Sequence, residues 1–150
     1  MRRALIPIRK MLPVGMFFVL LTLTSACIVV VDKDDDRHDL YGTRWVLEFI
    51  FYDYDDDYAV HAPEQYTISF ETQTEMRGQA DCNAFEGNYS VTDEGRISVG
   101  RISSTEIGCG RSSIGAEYLS NLRTAREYEI QGDELLIHFG NDRTLRFQRD

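Results

Sequence analysis

Lysine is nearly missing from this chain: Lys10 and Lys33 are the only two in 150 residues, and acidic residues outnumber basic ones 25 to 16. A net charge of −9 repels phosphate backbones and anionic headgroups, which excludes nucleic-acid binding as a working idea. Cysteine is scarce as well. The three cysteines show no Cys-x-x-Cys spacing and have no histidine close in sequence, so spacing alone supports neither a redox pair nor a zinc site. No Ser-His-Asp order, glycine-rich phosphate loop or paired buried carboxylates stand out. The apolar run over residues 11–23 falls short of the ~20 residues a spanning helix needs, and Pro13 and Gly15 interrupt it. A permanent membrane span is therefore not expected.

What is present begins with Arg2, Arg3, Arg9 and Lys10, then that apolar run, then Thr24-Ser25-Ala26-Cys27. This is the three-part layout of an export signal. It resembles a bacterial lipoprotein signal, in which lipid is added to the cysteine thiol and the peptide is cut just before it. Thr24 stands where that pattern has Leu, and Leu23 lies one place earlier. The expectation is a signal peptide over residues 1–26 and lipidation at Cys27, the alternative being ordinary cleavage that leaves Cys27 unmodified. Several acyl chains would hold the chain stably on a membrane, where one alone gives marginal binding. Ile28, in place of Asp after the anchor, resembles lipoproteins released to the outer membrane, so the expected location is the cell envelope, on its periplasmic or outer face.

After Cys27 twelve basic residues face 25 acidic ones, a net charge of −13. Residues 27–39 include Asp32-Lys33-Asp34-Asp35-Asp36-Arg37-His38-Asp39, too charged for a core and suited to a solvated tether. Three is an odd number of cysteines for an exported protein. Lipidating Cys27 would leave Cys82 and Cys109 free to pair in an oxidising compartment. The competing reading makes one of them a nucleophile or redox thiol; a structural disulfide is the expectation.

Residues 40–150 suffice for one core. Residues 43–52 are rich in aromatic and branched side chains without a helical stripe, and Tyr66-Thr67-Ile68-Ser69-Phe70 alternates apolar with polar. Further strands are expected over 76–80, 87–91, 97–99, 128–131, 135–139 and 144–148. The turn signals Gly132-Asp133 and Gly140-Asn141-Asp142 make the last three a meander. Gly95-Arg96-Ile97-Ser98 and Gly100-Arg101-Ile102-Ser103 repeat with an odd period, which predicts a bulge or bend at Gly100. Only residues 113–125 carry a helical stripe, through Ile114, Tyr118, Leu122 and Ala125, with Ser112 or Ser113 as cap. The expected fold is α+β, mainly antiparallel β: a curved sheet or partly open barrel with one packed α-helix.

Asp81-Cys82-Asn83-Ala84-Phe85-Glu86-Gly87-Asn88-Tyr89, followed by Thr105-Glu106-Ile107-Gly108-Cys109, resembles the META domain family of HslJ-like heat-shock lipoproteins. Asp81 stands where that family has Gly, and Ile107 where Met is common. Asn83, Phe85, Gly87, Tyr89 and Thr105 match the motif. The resemblance implies a role in envelope stress or antibiotic tolerance, with no defined molecular activity. Read as physics, Asn83 suits a side-chain-supported turn and Gly87 a positive φ or close packing. Phe85, Tyr89 and Trp45 suit a core, the alternative being an aromatic-lined pocket. Thr105 suits support of a local backbone bond.

Asp53, Asp55, Asp56 and Asp57 cluster in the loop after the first strand and offer calcium hard oxygen ligands. They lack the Gly and distal Glu of an EF-hand loop, so a solvated loop is the simpler expectation, and no cofactor is expected. The leading reading is a non-catalytic, membrane-anchored lipoprotein. A lipid- or helix-binding module resembling pilot lipoproteins would need an exposed apolar groove lined by Trp45, Phe49 or Tyr118. A thiol enzyme would need Cys82 or Cys109 free.

Overall fold

The computed structural model describes residues 40–52 and 57–150. The expected signal and tether, Cys27, and Asp53, Asp55 and Asp56 lie outside the described residues. Nine strands and one α-helix follow in the order β1 (Arg44–Phe51), β2 (Asp57–Ala59), β3 (Tyr66–Phe70), β4 (Glu75–Ala80), β5 (Asn83–Val91), β6 (Ile97–Ser104), α1 (Gly115–Arg123), β7 (Ala125–Gln131), β8 (Glu134–Phe139) and β9 (Arg143–Arg149).

All pairings are antiparallel, in the order β6-β5-β4-β3-β1-β9-β8-β7, with β2 attached to β1. The sheet curls until its two outermost strands meet at one corner. There the Tyr128 N–H donates to the Gly95 carbonyl at 2.8 Å, and Arg96 and Glu127 form a single bridge. The result is a partly open barrel, in agreement with the expected fold class.

Alternation explains most of the core. Tyr66, Ile68 and Phe70 of β3 point inward, as do Leu135, Ile137 and Phe139 of β8 and Leu145 and Phe147 of β9. Three places break the period of two and need a bulge to keep apolar residues inside, one of them in β7, where the register against β8 shifts between Ala125 and Glu127 and both Ala125 and Tyr128 are buried. In β1 the register against β9 shifts between Leu47 and Phe49, so Trp45, Leu47 and Ile50 all reach the core although their spacing is uneven. In β6, Gly100 and Arg101 together stand opposite Asn88. That extra residue brings Ile97 and Ile102 to the same buried face, and it is the bulge the odd repeat predicts.

β2 was not expected, because Asp-Tyr-Ala carries no strand signal. β3 pairs only with Arg44–Val46 of β1, which leaves the far half of that edge open. β2 takes up the backbone groups of Phe49, Ile50 and Phe51. β5 begins at Asn83 rather than residue 87, and β6 continues to Ser104 rather than ending at 99.

The helix is shorter than its stripe. Ile114, whose side chain has no acceptor, occupies the cap position with no side-chain cap bond, and its backbone N–H donates to the Tyr66 hydroxyl at 3.2 Å. Ser113 acts one residue earlier, its Oγ accepting from the Gly115 N–H at 3.2 Å. At the other end the Thr124 hydroxyl donates to the Asn121 carbonyl at 3.0 Å, and Ala125 opens β7. The inward face of α1 presents Tyr118 and Leu122, both fully buried. Tyr118 meets Tyr66, Phe85 and Phe147 at ring distances of 6.1, 6.0 and 6.2 Å. Its hydroxyl crosses the interior to the Thr67 carbonyl at 3.2 Å. Burial pushes the Tyr118 phenol well above its ordinary pKa, so it stays a neutral donor.

Candidate functional site

The two motif segments meet at one corner of the barrel, where the β4–β5 turn faces the loop that leaves β6. Asp81 and Cys82 form that turn, with Ala80 and Asn83 paired across it. Asp81 has φ +59°. A tight hairpin turn demands a left-handed residue, so Gly is the usual occupant, and Asp holds the same geometry at some strain.

Cys82 and Cys109 are joined by a disulfide, with Cα atoms 5.7 Å apart. Asn83, the next residue, uses its whole amide. Its Oδ1 accepts from the Thr105 hydroxyl at 2.9 Å and from the Ile107 N–H at 2.7 Å. Its Nδ2 donates to the Ile107 carbonyl at 3.1 Å and toward Cys109 Sγ at 3.2 Å. Both acceptor sites and both donors of the side chain are occupied, so this one residue fixes residues 105–109 against the start of β5. Thr105 gives its N–H to the Ala84 carbonyl at 3.0 Å, while its hydroxyl serves Asn83 and not the backbone.

The remaining motif residues point inward. Phe85 packs edge-on against Tyr118, and Tyr89 against Phe70 at 4.8 Å. The Tyr89 hydroxyl donates to the Thr72 carbonyl at 2.8 Å; burial first, and Tyr128 second, raise its pKa. Gly87 has no positive φ. A Cβ there would lie 3.0 Å from the Arg101 carbonyl and 3.2 Å from Met76 and Ile102, so close packing is what selects glycine. Trp45 is fully buried, its Nε1 donating to Thr43 Oγ1 at 2.7 Å under the Arg149 guanidinium at 4.3 Å.

Among the described residues, the three side chains that would line the apolar groove of a lipid- or helix-binding module do not line one. Trp45 and Tyr118 are inaccessible, and Phe49 lies under the Arg146 guanidinium at 4.2 Å. An open cleft of about 810 Å³ instead runs across the outer face of β3 to β6, and most of its lining residues are polar or charged, with Ala84 and Phe85 among them. Arg44, Ser69, Arg77, Glu86 and Ser103 form a row from strand to strand along it. Arg77 is paired with Glu71 at 3.4 Å and Arg44 with Asp150 at 2.8 Å.

Other candidates are not brought together. Asp57 is exposed on β2, and among the described residues no three His, Cys, Asp or Glu side chains converge to hold a metal. His61 packs edge-on against Tyr58 at 6.3 Å, and His138 lies 2.9 Å from the Thr144 hydroxyl. His38 lies outside the described residues. Sequence reasoning missed the contact between Tyr52 and Glu117, in which the phenol donates to the carboxylate. Burial and then that hydrogen bond push the Tyr52 pKa up to about 12. It also missed the link from Asn83 to Ile107, although pairing Cys82 with Cys109 necessarily places Asn83 beside that segment.

The META domain family model matches residues 38–150. A solution structure of a protein from Burkholderia xenovorans is 25% identical, with a TM-score of 0.64, over 74% of this chain and 83% of that one. A crystal structure of a DUF4847 family protein from Bacteroides vulgatus is 12% identical, with a TM-score of 0.53, over 72% of this chain and 92% of that one. The latter likeness is one of fold. Among curated proteins, none matches this sequence.

Proposed function

This chain belongs to the META domain family, and from that premise we propose that it is a membrane-anchored envelope lipoprotein whose domain works without catalysis, as a binding or stress-tolerance module. The observation that carries this reading is the Cys82–Cys109 bridge. A disulfide of this kind belongs to an oxidising compartment, which fits export behind the charged and apolar leader and leaves Cys27 as the single unpaired thiol. The same bridge occupies both sulfurs that a thiol enzyme would use. Lipid on Cys27 gives the domain its membrane contact, the acidic stretch to residue 39 gives it reach, and the outer membrane is its expected location. The proposed role in envelope stress or antibiotic tolerance is supported by the resemblance of the Asp81–Tyr89 and Thr105–Cys109 segments to HslJ-like lipoproteins.

Metabolic labelling with an alkyne-bearing fatty acid tests the anchor. The chain should take the label and sediment with membranes, and Cys27→Ser should lose the label and enter the soluble fraction. A wild-type chain that stays unlabelled and soluble refutes the proposal.

A further inference from the structure

We propose that residues 105–110 are a preorganised docking loop, and that Ile107 is the anchor this loop offers to an apolar pocket, rimmed by basic residues, on a partner protein. This deepens the binding-module reading above and rests on it. Ile107 is 60% exposed and, with Tyr41, is one of two large hydrophobic side chains so exposed among the described residues. An exposed apolar residue on a loose loop is unremarkable. Here both backbone groups of Ile107 are held by Asn83, at 2.7 and 3.1 Å, and the disulfide closes the loop two residues later. The fold thus fixes the backbone beneath a side chain that it leaves uncovered. An anchor ordered in advance loses less freedom on association than one that must be ordered by its partner.

The glycines beside it are a second, independent observation. Neither Gly108 nor Gly110 has a left-handed φ, and a Cβ on either would meet nothing within 4 Å. Neither the loop's conformation nor packing against the described residues requires glycine at these positions. Bare backbone on both sides of Cys109 lets another surface approach closely.

Charge sets the partner's chemistry. Glu106 is exposed beside the anchor, and Thr105 ends the polar cleft along which Glu64 and Glu86 lie. None of these three carboxylates is in an ion pair with another described residue; Arg111 is the exposed cation next to the loop, and the chain after Cys27 carries −13. A basic rim complements that field and steers the encounter. An anionic lipid surface is repelled by it.

The test places a photo-crosslinking residue at position 111, next to the loop, and in a separate chain at exposed position 131 on β7, leaving Ile107 intact. Both full-length chains are irradiated in unfractionated lysates of cells that make the protein, so that soluble and membrane-bound chains are both present. The expected result is one protein adduct at 111, about tenfold weaker at 131. It should fall about tenfold in Ile107→Asp, whose unfolding midpoint stays unchanged, and about tenfold as NaCl rises from about 50 to about 500 mM, where screening shortens to a few ångströms. No adduct, equal adducts at both positions, a product of two copies of this chain, a lipid adduct alone, or an adduct indifferent to Ile107→Asp or to salt overturns the proposal. Membrane sedimentation of the same chains reports the anchor separately, so a soluble chain that still forms the adduct refutes the lipoprotein reading alone.

Discussion

The β7–β9 meander and the corner where the β4–β5 turn meets residues 105–109 are held by different means. In the meander, successive hairpins bury every second residue, Leu135, Ile137 and Phe139 against Leu145 and Phe147, and backbone ladders do the rest. At the corner, one amide, one disulfide and one left-handed Asp fix a segment that has no ladder of its own beyond Thr105. The meander is thus specified by a pattern spread over many residues and tolerates the loss of any polar member. The corner is specified by four particular residues, Asp81, Cys82, Asn83 and Cys109, and each change there should be felt separately.

The largest effect should come where both regions share a residue. Tyr118 touches β3, β5 and β9 through three rings and bonds the Thr67 carbonyl. Tyr118→Ala should destabilise by about 4 kcal/mol, as deletion of a buried aromatic does, and unfolding by urea should remain one transition. Two separate transitions would show that the halves are independent, contrary to this packing.

Removing the bridge with Cys82→Ser and Cys109→Ser comes next, at about 3.5 kcal/mol for a loop of 27 residues on the entropic model. Because that term acts on the unfolded chain, the meander's hydrogen-exchange protection should fall by the same global amount. The Ile107 amide should lose more. Equal protection losses everywhere would mean that Asn83 holds the loop unaided.

Asn83→Asp isolates the amide. It keeps the acceptor for Thr105 and Ile107 but turns the donor toward Ile107 and Cys109 into a second acceptor facing a carbonyl. A loss of about 1 to 2 kcal/mol is expected from the unmade bond and the repulsion. The counterpart in the meander, Thr144→Val opposite His138, should fall nearer 0.5 kcal/mol on the surface scale. Similar losses in thermal unfolding would erase the contrast between the regions.

These contrasts account for what was legible in the sequence. The alternation in Tyr66-Thr67-Ile68-Ser69-Phe70, the turn residues at Gly132 and Gly140, and the odd spacing of Ile97 and Ile102 are local signals, and each marked its element or bulge. The single helix was visible from Tyr118 and Leu122, but not its start, because the Tyr66 hydroxyl that meets Ile114 lies 48 residues away. β2 left no trace because its pairing is dictated by an open edge on β1 and not by its own residues. At the corner the participants were visible as a motif, while the bonds between them were not. Asn83 suggested a turn, and only the folded chain places its amide on Ile107, 24 residues on.

Asp81→Gly tests the third corner device with the opposite sign. At φ +59° an Asp carries a strain that Gly does not. The substitution should raise stability by about 0.5 to 1 kcal/mol, a net figure that includes the greater freedom of Gly in the unfolded chain. A fall in the thermal midpoint would mean that the Asp81 side chain stabilises the turn.

Tyr52 should give the smallest effect, confined to alkaline solution, because its contact with Glu117 fastens α1 to the end of β1 at the protein surface. The phenol's folded pKa, about 12, stands above its ordinary value of 10.0, so the native state holds the proton more tightly than the unfolded chain does. That contribution is whole below pH 10 and is lost as pH rises through about 12. Tyr52→Phe removes the ionisation, so its stability should decline less steeply than the wild type's across that interval. Tyr89 and Tyr118, also raised, keep a residual slope in both proteins. Identical slopes measured by urea unfolding between pH 9 and 12 would show that Tyr52 ionises as freely in the fold as out of it, and that the helix is held by its buried face alone.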